Sequence, residues 1–175
     1  MLKKILLVIA LLIVVVLVIA AFKPSDFNVQ RTATIQASPE KIFPLINDYH
    51  NWPQWSPWEK LDPNMKRTMT GPQSGTGAVY EWEGNSKAGQ GRMEITESVP
   101  SSKVGIKLDF IKPMEGHDQV QFNLQQSGNA TTVTWTMTGP MSYPAKVMTV
   151  FVSMDKMIGS DFETGLANMK AAAEK

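Results

Sequence analysis

The sequence predicts an α+β domain in which an antiparallel sheet of about seven strands wraps a long C-terminal helix, preceded by an N-terminal transmembrane helix. Three observations predict this arrangement. The chain begins with an unbroken apolar run, its middle alternates apolar with polar residues, and its end carries apolar residues three or four positions apart. Alternation by two is typical of half-buried strands, and the wider spacing is typical of an amphipathic helix.

The apolar run contains eighteen consecutive apolar residues, from Ile5 to Phe22, and follows Lys3 and Lys4. At about 1.5 Å per helical residue, it nearly matches the roughly 30 Å hydrocarbon core of a bilayer. Because basic residues before a first hydrophobic segment tend to stay cytoplasmic, the chain from Pro24 onward is expected on the far side. The sequence therefore predicts a single-pass protein of a bacterial inner membrane, with a periplasmic or extracellular C-terminal domain.

A cleaved secretory signal is the alternative interpretation of residues 1–23, because Val18 and Ala20 fit the small-residue positions before a cleavage site. The apolar region of a signal usually has about 7 to 15 residues, so the greater length here favours an uncleaved anchor. Both interpretations export the domain expected over residues 27–175, which has the size of one ordinary domain.

The composition argues against several classes of function. Seventeen basic residues include Lys3, Lys4 and Lys23, so the exported part carries 14 basic against 16 acidic residues and lacks the positive charge typical of nucleic-acid binding. There is no cysteine, and His50 and His117 lie far apart and fit no metal-ligand spacing. We therefore expect no nucleic-acid partner, no metal site and no cofactor.

The first strand is predicted from Phe27 to Gln36, where only Arg31 interrupts the apolar side. Ser38 then precedes Pro39, which is the order of a capping residue and a first-turn proline, so a short helix is expected next. Two further prolines limit the segment from Tyr49 to Glu59 to one or two irregular turns.

Alternation resumes after the turn at Asp62-Pro63-Asn64 and continues for most of the remaining chain. Glycine, asparagine and proline separate the alternating segments, which predicts an antiparallel meander with one wet and one dry face. These segments begin at Met65, Tyr80, Met93, Val104, Val120 and Val133.

The end of the chain predicts one long amphipathic helix, because apolar residues recur at helical steps from Val147, through Phe151, to Met169. Such a stripe needs an apolar partner. The dry face of the sheet is the one large apolar surface that the sequence offers, so the helix is expected to pack there.

Four local motifs occur within this framework: A-S-P-E-K-I-F at 37–43, N-D-Y-H-N-W-P-Q-W-S-P-W at 47–58, G-T-G-A-V-Y-E-W at 75–82 and G-S-D-F-E-T-G-L at 159–166. Together with the element order, they resemble the helix-grip, or START-like (SRPBCC), superfamily, in particular its polyketide cyclase/dehydrase and lipid-transport branch. The resemblance implies a cavity between sheet and helix that holds an apolar ligand. It is weak for function, since the superfamily includes lipid carriers, hormone receptors, cyclases and chaperone activators.

Large side chains that face the interior are the candidate walls of this cavity. Trp55 and Trp58 recur with Trp52 every three residues, and they either cover the cavity or pack the short helices onto the sheet. Arg67 and Arg31 lie on apolar faces, where each either contacts a polar headgroup or extends along apolar surface to a surface acid. The predicted ligand-binding residues are Trp55, Trp58, Arg67, Tyr80, Trp82, Met93, Phe110, Trp135, Met154, Ile158 and Phe162.

No residue is predicted to be catalytic. Glu81 and Glu83 share one face of a strand, but that face is opposite Trp82, so both are expected to be solvated surface charges. The leading hypothesis is a membrane-tethered exported domain that binds a lipid or another apolar small molecule without catalysis. A cyclase- or hydrolase-type enzyme that uses the same cavity and a packed interaction module without a ligand remain as alternatives. The sequence does not identify any protein partners.

Overall fold

A computed structural model describes residues 1–175 and contains four α-helices, two 3₁₀ helices and seven strands. In chain order these are α1 (Leu2–Ala21), β1 (Asp26–Ile35), α2 (Pro39–Asn47), a first 3₁₀ helix (Tyr49–Gln54), a second 3₁₀ helix (Pro57–Lys60), β2 (Lys66–Thr70), β3 (Val79–Glu83), β4 (Gln90–Val99), β5 (Lys103–Lys112), β6 (Gly116–Ser127), β7 (Ala130–Pro140), α3 (Tyr143–Met148) and α4 (Met154–Ala173).

The strands form one antiparallel sheet in the order β1-β7-β6-β5-β4-β3-β2. Strands β2 to β7 are a meander, and β1 pairs with β7 at the opposite edge. The alternation read from the sequence gives strands β1 and β3 to β7 an inner row of buried apolar residues, which packs against α4, α2 and the first 3₁₀ helix. The edge strand β2 is mostly exposed. The predicted α+β fold, with its seven-stranded sheet, C-terminal helix and apolar N-terminal helix, is confirmed.

Helix α4 approaches the sheet closely because two of its residues lack a side chain. A Cβ atom on Gly159 would lie 2.1 Å from the guanidinium of Arg31 on β1, and one on Gly165 would lie 2.8 Å from the ring of Trp135 on β7. Such distances are too short for real contacts. Gly165 therefore limits how closely the helix can lie on the sheet, whereas at Gly159 the neighbour is the flexible end of an arginine side chain.

The prediction of one continuous C-terminal helix from Val147 is wrong. Helix α3 ends at Met148, and α4 begins only after Ser153, whose side chain caps it by accepting a hydrogen bond from the Lys156 backbone N–H at 3.3 Å. Phe151, which belongs to the predicted apolar stripe, lies in the turn and is 72% exposed. The spacing continues through this residue, but its side chain faces solvent and does not join the core.

Helix α2 and the first 3₁₀ helix pack on the sheet through tryptophans. Trp52 and Trp55 are buried, and their indole N–H groups donate to the backbone carbonyls of Ile46 (3.0 Å) and Leu45 (2.7 Å). A buried indole needs such a partner for its polar atom. These two tryptophans thus hold the short helices against the sheet, and Trp52 also lines the cavity described below.

Helix α1 extends away from the domain and exposes almost all of its side chains. It has 20 residues, and a window of 18 of them has a mean hydropathy of 3.3, so the helix is long and apolar enough to cross a membrane. A signal sequence would have the same properties. Only its last turns contact the domain, where Ala20 is fully buried and the Tyr143 hydroxyl of α3 donates to the Leu17 carbonyl at 2.8 Å.

Candidate ligand cavity

A cavity of about 290 Å³ lies between the inner face of the sheet, the second 3₁₀ helix and α4. Twenty-one residues line it and fifteen of them are hydrophobic. Strands β3 to β7 form its base, because the period of two places one row of side chains from each strand on this face. Exposed lining residues at the ends of the strand loops, Lys87, Lys112 and Pro113, mark where it meets solvent.

Aromatic rings form the wall beneath α4. Phe162 of α4 stacks on Trp135 of β7 with ring centroids 4.0 Å apart and an angle of 7° between the planes. Trp58 meets both rings edge-on, at 5.6 Å from Trp135 and 6.1 Å from Phe162. Stacked and edge-to-face contacts are favourable geometries for aromatic pairs, so this wall is a fixed surface.

A second aromatic wall stands on β3, β4 and β5. The ring of Trp82 lies directly over Gly91, where a Cβ atom would approach it to 2.3 Å, so only glycine leaves room for the indole. Trp82 donates to the Ala88 carbonyl at 3.0 Å and meets the ring of Phe110 edge-on at 6.0 Å. The indole is therefore held in one orientation at the cavity wall.

Glu59 places a carboxylate in this apolar surface. Pro57 follows Ser56 at the start of the second 3₁₀ helix, a position that proline favours. In this helix the Glu59 side chain points inward and is only 7% exposed. The Tyr80 hydroxyl donates to Oε1 at 2.6 Å, and Arg67 Nε donates to Oε2 at 2.7 Å. Both carboxylate oxygens thus have partners, as a buried charge requires.

These contacts also raise the pKa values of Tyr80 and Arg67. Burial, together with the hydrogen bond to Glu59, raises the pKa of Tyr80 well above its ordinary value. The hydrogen bond to the Glu59 carboxylate raises the pKa of Arg67 further. The tyrosine therefore stays protonated at neutral pH, donates to Glu59, and keeps its oxygen lone pairs for another donor.

Most of the predicted site residues line the cavity. This holds for Trp58, Tyr80, Trp82, Met93, Phe110, Trp135, Ile158 and Phe162. Whether they bind a ligand stays a prediction.

Three predicted residues lie elsewhere. Trp55 is 1% exposed and lies in the core against Phe122 and Trp135. Arg67 stands outside the lining and holds Glu59. Met154 is the first residue of α4, before the part of that helix that lines the cavity.

Other charged residues follow the predicted pattern. Arg31 forms ion pairs with the surface acids Asp155 (2.7 Å) and Glu163 (2.6 Å), so its side chain extends along the sheet to the surface. Glu81 and Glu83 are exposed, as predicted. Glu59 was not among the predicted site residues, since it lies in an irregular segment where no period indicates its direction.

A family model described as polyketide cyclase/dehydrase and lipid transport matches residues 26–174. The chain therefore belongs to this family, and the resemblance seen in its motifs is confirmed. The match covers the sheet and the helices that enclose the cavity. A search of curated proteins found no match.

Solved structures share the fold at low sequence identity. The Aha1 dimer from Colwellia psychrerythraea is 19% identical, with a TM-score of 0.60 over 85% of this chain and 96% of that one. XoxI from Bacillus cereus is 14% identical, with a TM-score of 0.59 over 83% and 94%. Protein CV1439 from Chromobacterium violaceum is 13% identical, with a TM-score of 0.57 over 87% and 99%. At these identities the likeness shows the fold alone.

Proposed function

We propose that this protein binds a lipid or another apolar small molecule in the cavity, without catalysis, while α1 tethers it to the bacterial inner membrane. Residues 1–23 serve as the anchor, and the domain over residues 27–175 faces the periplasm or the cell exterior. The description of the family, which includes lipid transport, supports an apolar ligand. The length and hydropathy of α1 support the tether.

The cavity is the observation that carries the proposal. Apolar cavities of about 150 Å³ already bind a molecule as large as benzene, so about 290 Å³ has room for a larger hydrocarbon group. Each Å² of apolar ligand surface removed from water contributes about 25 cal/mol. A packed interaction module would instead fill this space with its own side chains, so the cavity weighs against that alternative.

The Tyr80 hydroxyl in the cavity wall restricts the chemical class of the ligand further. Tyr80 donates its proton to Glu59, so its oxygen can accept a hydrogen bond from a ligand. A molecule with an apolar body and one hydroxyl or amide donor would satisfy both kinds of surface. We therefore place its apolar part against Trp82, Phe110 and Phe162 and its donor at Tyr80.

Native mass spectrometry of the full chain, released from gentle detergent, tests the binding. We expect a co-purified small molecule, and solvent extraction should identify it. Replacing Ile158 by Trp puts a large ring into the cavity and should abolish the bound mass. Ser160→Trp adds the same ring to an exposed position of the same helix and should leave it bound. A protein that is always empty, or equal binding by both variants, would refute the proposal.

The Glu59 and Tyr80 pair favours a cyclase- or hydrolase-type enzyme as the second candidate. A buried carboxylate 2.6 Å from a phenol is a group that can transfer a proton. Incubation of the extracted molecule with fresh protein separates the two functions. A carrier returns it with unchanged mass and unchanged chromatographic retention. A hydrolase changes its mass, a cyclase changes its retention even where its mass is conserved, and either activity should be lost in Glu59→Gln.

A further inference from the structure

The turn and helix beside α1 expose large apolar side chains in one short segment, residues 143–157, which we call the α3 segment. The exposed fractions of these residues run from 40 to 72%, and no other part of the domain covers them. They are Tyr143, Met148, Phe151, Val152 and Met157. Apolar side chains grouped in this way usually mark a surface that contacts another phase or partner.

Contacts with α1 fix where this segment lies. The Tyr143 hydroxyl donates to the carbonyl of Leu17 at 2.8 Å, and Ala20 is fully buried. In the linker after α1, Ser25 Oγ accepts a hydrogen bond from Lys146 Nζ at 3.3 Å. Leu17 precedes the last residue of α1, Ala21, by four positions, which is roughly 6 Å along a helix. The α3 segment thus lies beside the final turn of the apolar helix.

The length of α1 limits how far the contact between Tyr143 and Leu17 can lie from a bilayer that the helix crosses. Its apolar part, from Ile5 to Ala21, spans about 26 Å, which is slightly less than the roughly 30 Å of the hydrocarbon core. Sliding the helix outward to lift Tyr143 clear would pull Lys3 and Lys4 into hydrocarbon, where charged groups are costly. With α1 across the core, the carbonyl of Leu17 lies roughly 6 Å inside the end of the helix. Tyr143, whose hydroxyl reaches this carbonyl, therefore belongs to the interfacial region, where tyrosine is enriched.

We infer that the α3 segment is a second membrane contact, which lies in the interface of the same leaflet in which α1 ends. This inference rests on the proposed tether. Phe151, Val152 and Met148 enter the boundary between headgroups and acyl chains, to a depth of about 5 to 10 Å. Lys146 and Lys156 flank these residues and keep their amines among the headgroups. Since Ile158 of α4 lines the cavity one residue after Met157, the contact holds that wall close to the lipid.

Depth measurements on the full chain test the inference. The chain has no cysteine, so Phe151→Cys, Leu11→Cys and Gln126→Cys each carry one thiol for an environment-sensitive NBD label. The proteins are reconstituted into vesicles of phosphatidylethanolamine and phosphatidylglycerol, with or without nitroxide-labelled acyl chains. We expect the labels at 151 and 11 to emit at shorter wavelength and to be quenched by the nitroxide lipid. The label at 126, in the exposed end of β6, should do neither.

The three positions separate the possible failures. A lipid-quenched label at 11 with a water-exposed label at 151 would overturn the membrane contact and leave the tether intact. A label at 151 that is shielded from water yet unquenched by nitroxide lipid would also overturn it, because protein would then cover the segment. If the label at 11 is itself in water, the tether has failed and the inference fails with it. Phe151 is exposed, so its replacement removes no core contact.

Discussion

Glu59 is the only carboxylate in the cavity lining, and its two partners make its burial tolerable. Arg67 contributes more than one bond, because its Nη1 and Nη2 also donate to the backbone carbonyls of Met65 and Glu59 at 3.0 Å. The arginine thereby ties the edge strand β2 to the second 3₁₀ helix. The position of the second 3₁₀ helix at this side of the cavity therefore depends on the ion pair between Arg67 and Glu59 as well as on apolar packing.

Replacing Arg67 by Met should therefore destabilise the domain by about 1 to 3 kcal/mol, because Glu59 would remain buried with Tyr80 as its one donor. Adding Glu59→Gln to that variant should recover part of the loss, since a neutral amide is less costly to leave without the arginine. Thermal unfolding of the single and double variants forms the double-mutant cycle that measures this coupling. Additive effects of the two changes would contradict the pairing.

Asp118 carries a carboxylate on the inner face of β6, in the same row as Val120 and Phe122. It is 6% exposed and no protein donor bonds its side chain, so burial raises its pKa to about 6, although nearby His117 acts in the opposite direction. Because the folded value lies above the unfolded one, the folded state binds the proton more tightly. The domain should gain stability as the pH falls from above 6 to about 4.

Asp118→Asn should accordingly stabilise the domain by about 2 kcal/mol at pH 8 and change little at pH 4. Asp109→Asn is the matched control on the neighbouring strand. Burial tends to raise the pKa of Asp109, but hydrogen bonds from Lys107 and His117 outweigh this and lower it overall. The control should therefore destabilise the domain at pH 8. Melting temperatures of both variants, measured between pH 4 and pH 8, show whether each change stabilises or destabilises the domain. If Asp118→Asn does not raise the melting temperature at pH 8, the raised pKa of Asp118 is refuted.

Helix α4 and the sheet meet at two places where the helix has no side chain. Phe162 stacks on Trp135 between them, so the wall of the cavity depends on the distance between helix and sheet. Alanine normally stabilises a helix relative to glycine by about 1 kcal/mol. At Gly165 the close approach of Trp135 reverses that preference, because the added methyl group has no space.

Gly165→Ala should thus destabilise the domain by about 1 to 2 kcal/mol despite its better helix propensity. Thr164→Ala, one residue earlier on the exposed side of the helix, should be neutral or mildly stabilising. Chemical denaturation of both variants in the same detergent is the measurement. Equal stability of the two proteins would show that α4 can move away from Trp135 at no cost.

The strands could be predicted from the sequence because the alternation of apolar and polar residues indicates which side chains face inward. Tyr80, Trp82 and Trp135 reach the cavity for this reason. Helical spacing indicates which side of a helix is apolar but not where the helix begins. The spacing therefore places Phe151 in the C-terminal helix, although that helix begins only after Ser153. The irregular segment between α2 and β2 has no period at all, which is why the direction of Glu59 is known only from the structure.

If α1 is the tether that we propose, the short linker after it keeps the cavity close to the membrane. Only residues 22–25 separate α1 from β1, so at no more than about 3.6 Å per residue the domain stays within roughly 15 Å of the end of the anchor. A ligand drawn from the membrane would then travel a short distance to the cavity. This advantage requires that α1 remains attached and that the domain lies on the exported side.

Single thiols test both conditions in cells. With Lys3 and Lys4 inside, we expect a membrane-impermeant maleimide to label Gln126→Cys in intact spheroplasts and Leu2→Cys only after the membrane is opened. Cleavage of a signal would remove residue 2 and release a shorter protein, so retention of the Leu2→Cys label in the full-length band distinguishes the anchor from the signal. Labelling of Gln126→Cys only after lysis would place the domain in the cytoplasm. The cavity could then still bind an apolar ligand, but only one available on that side of the membrane.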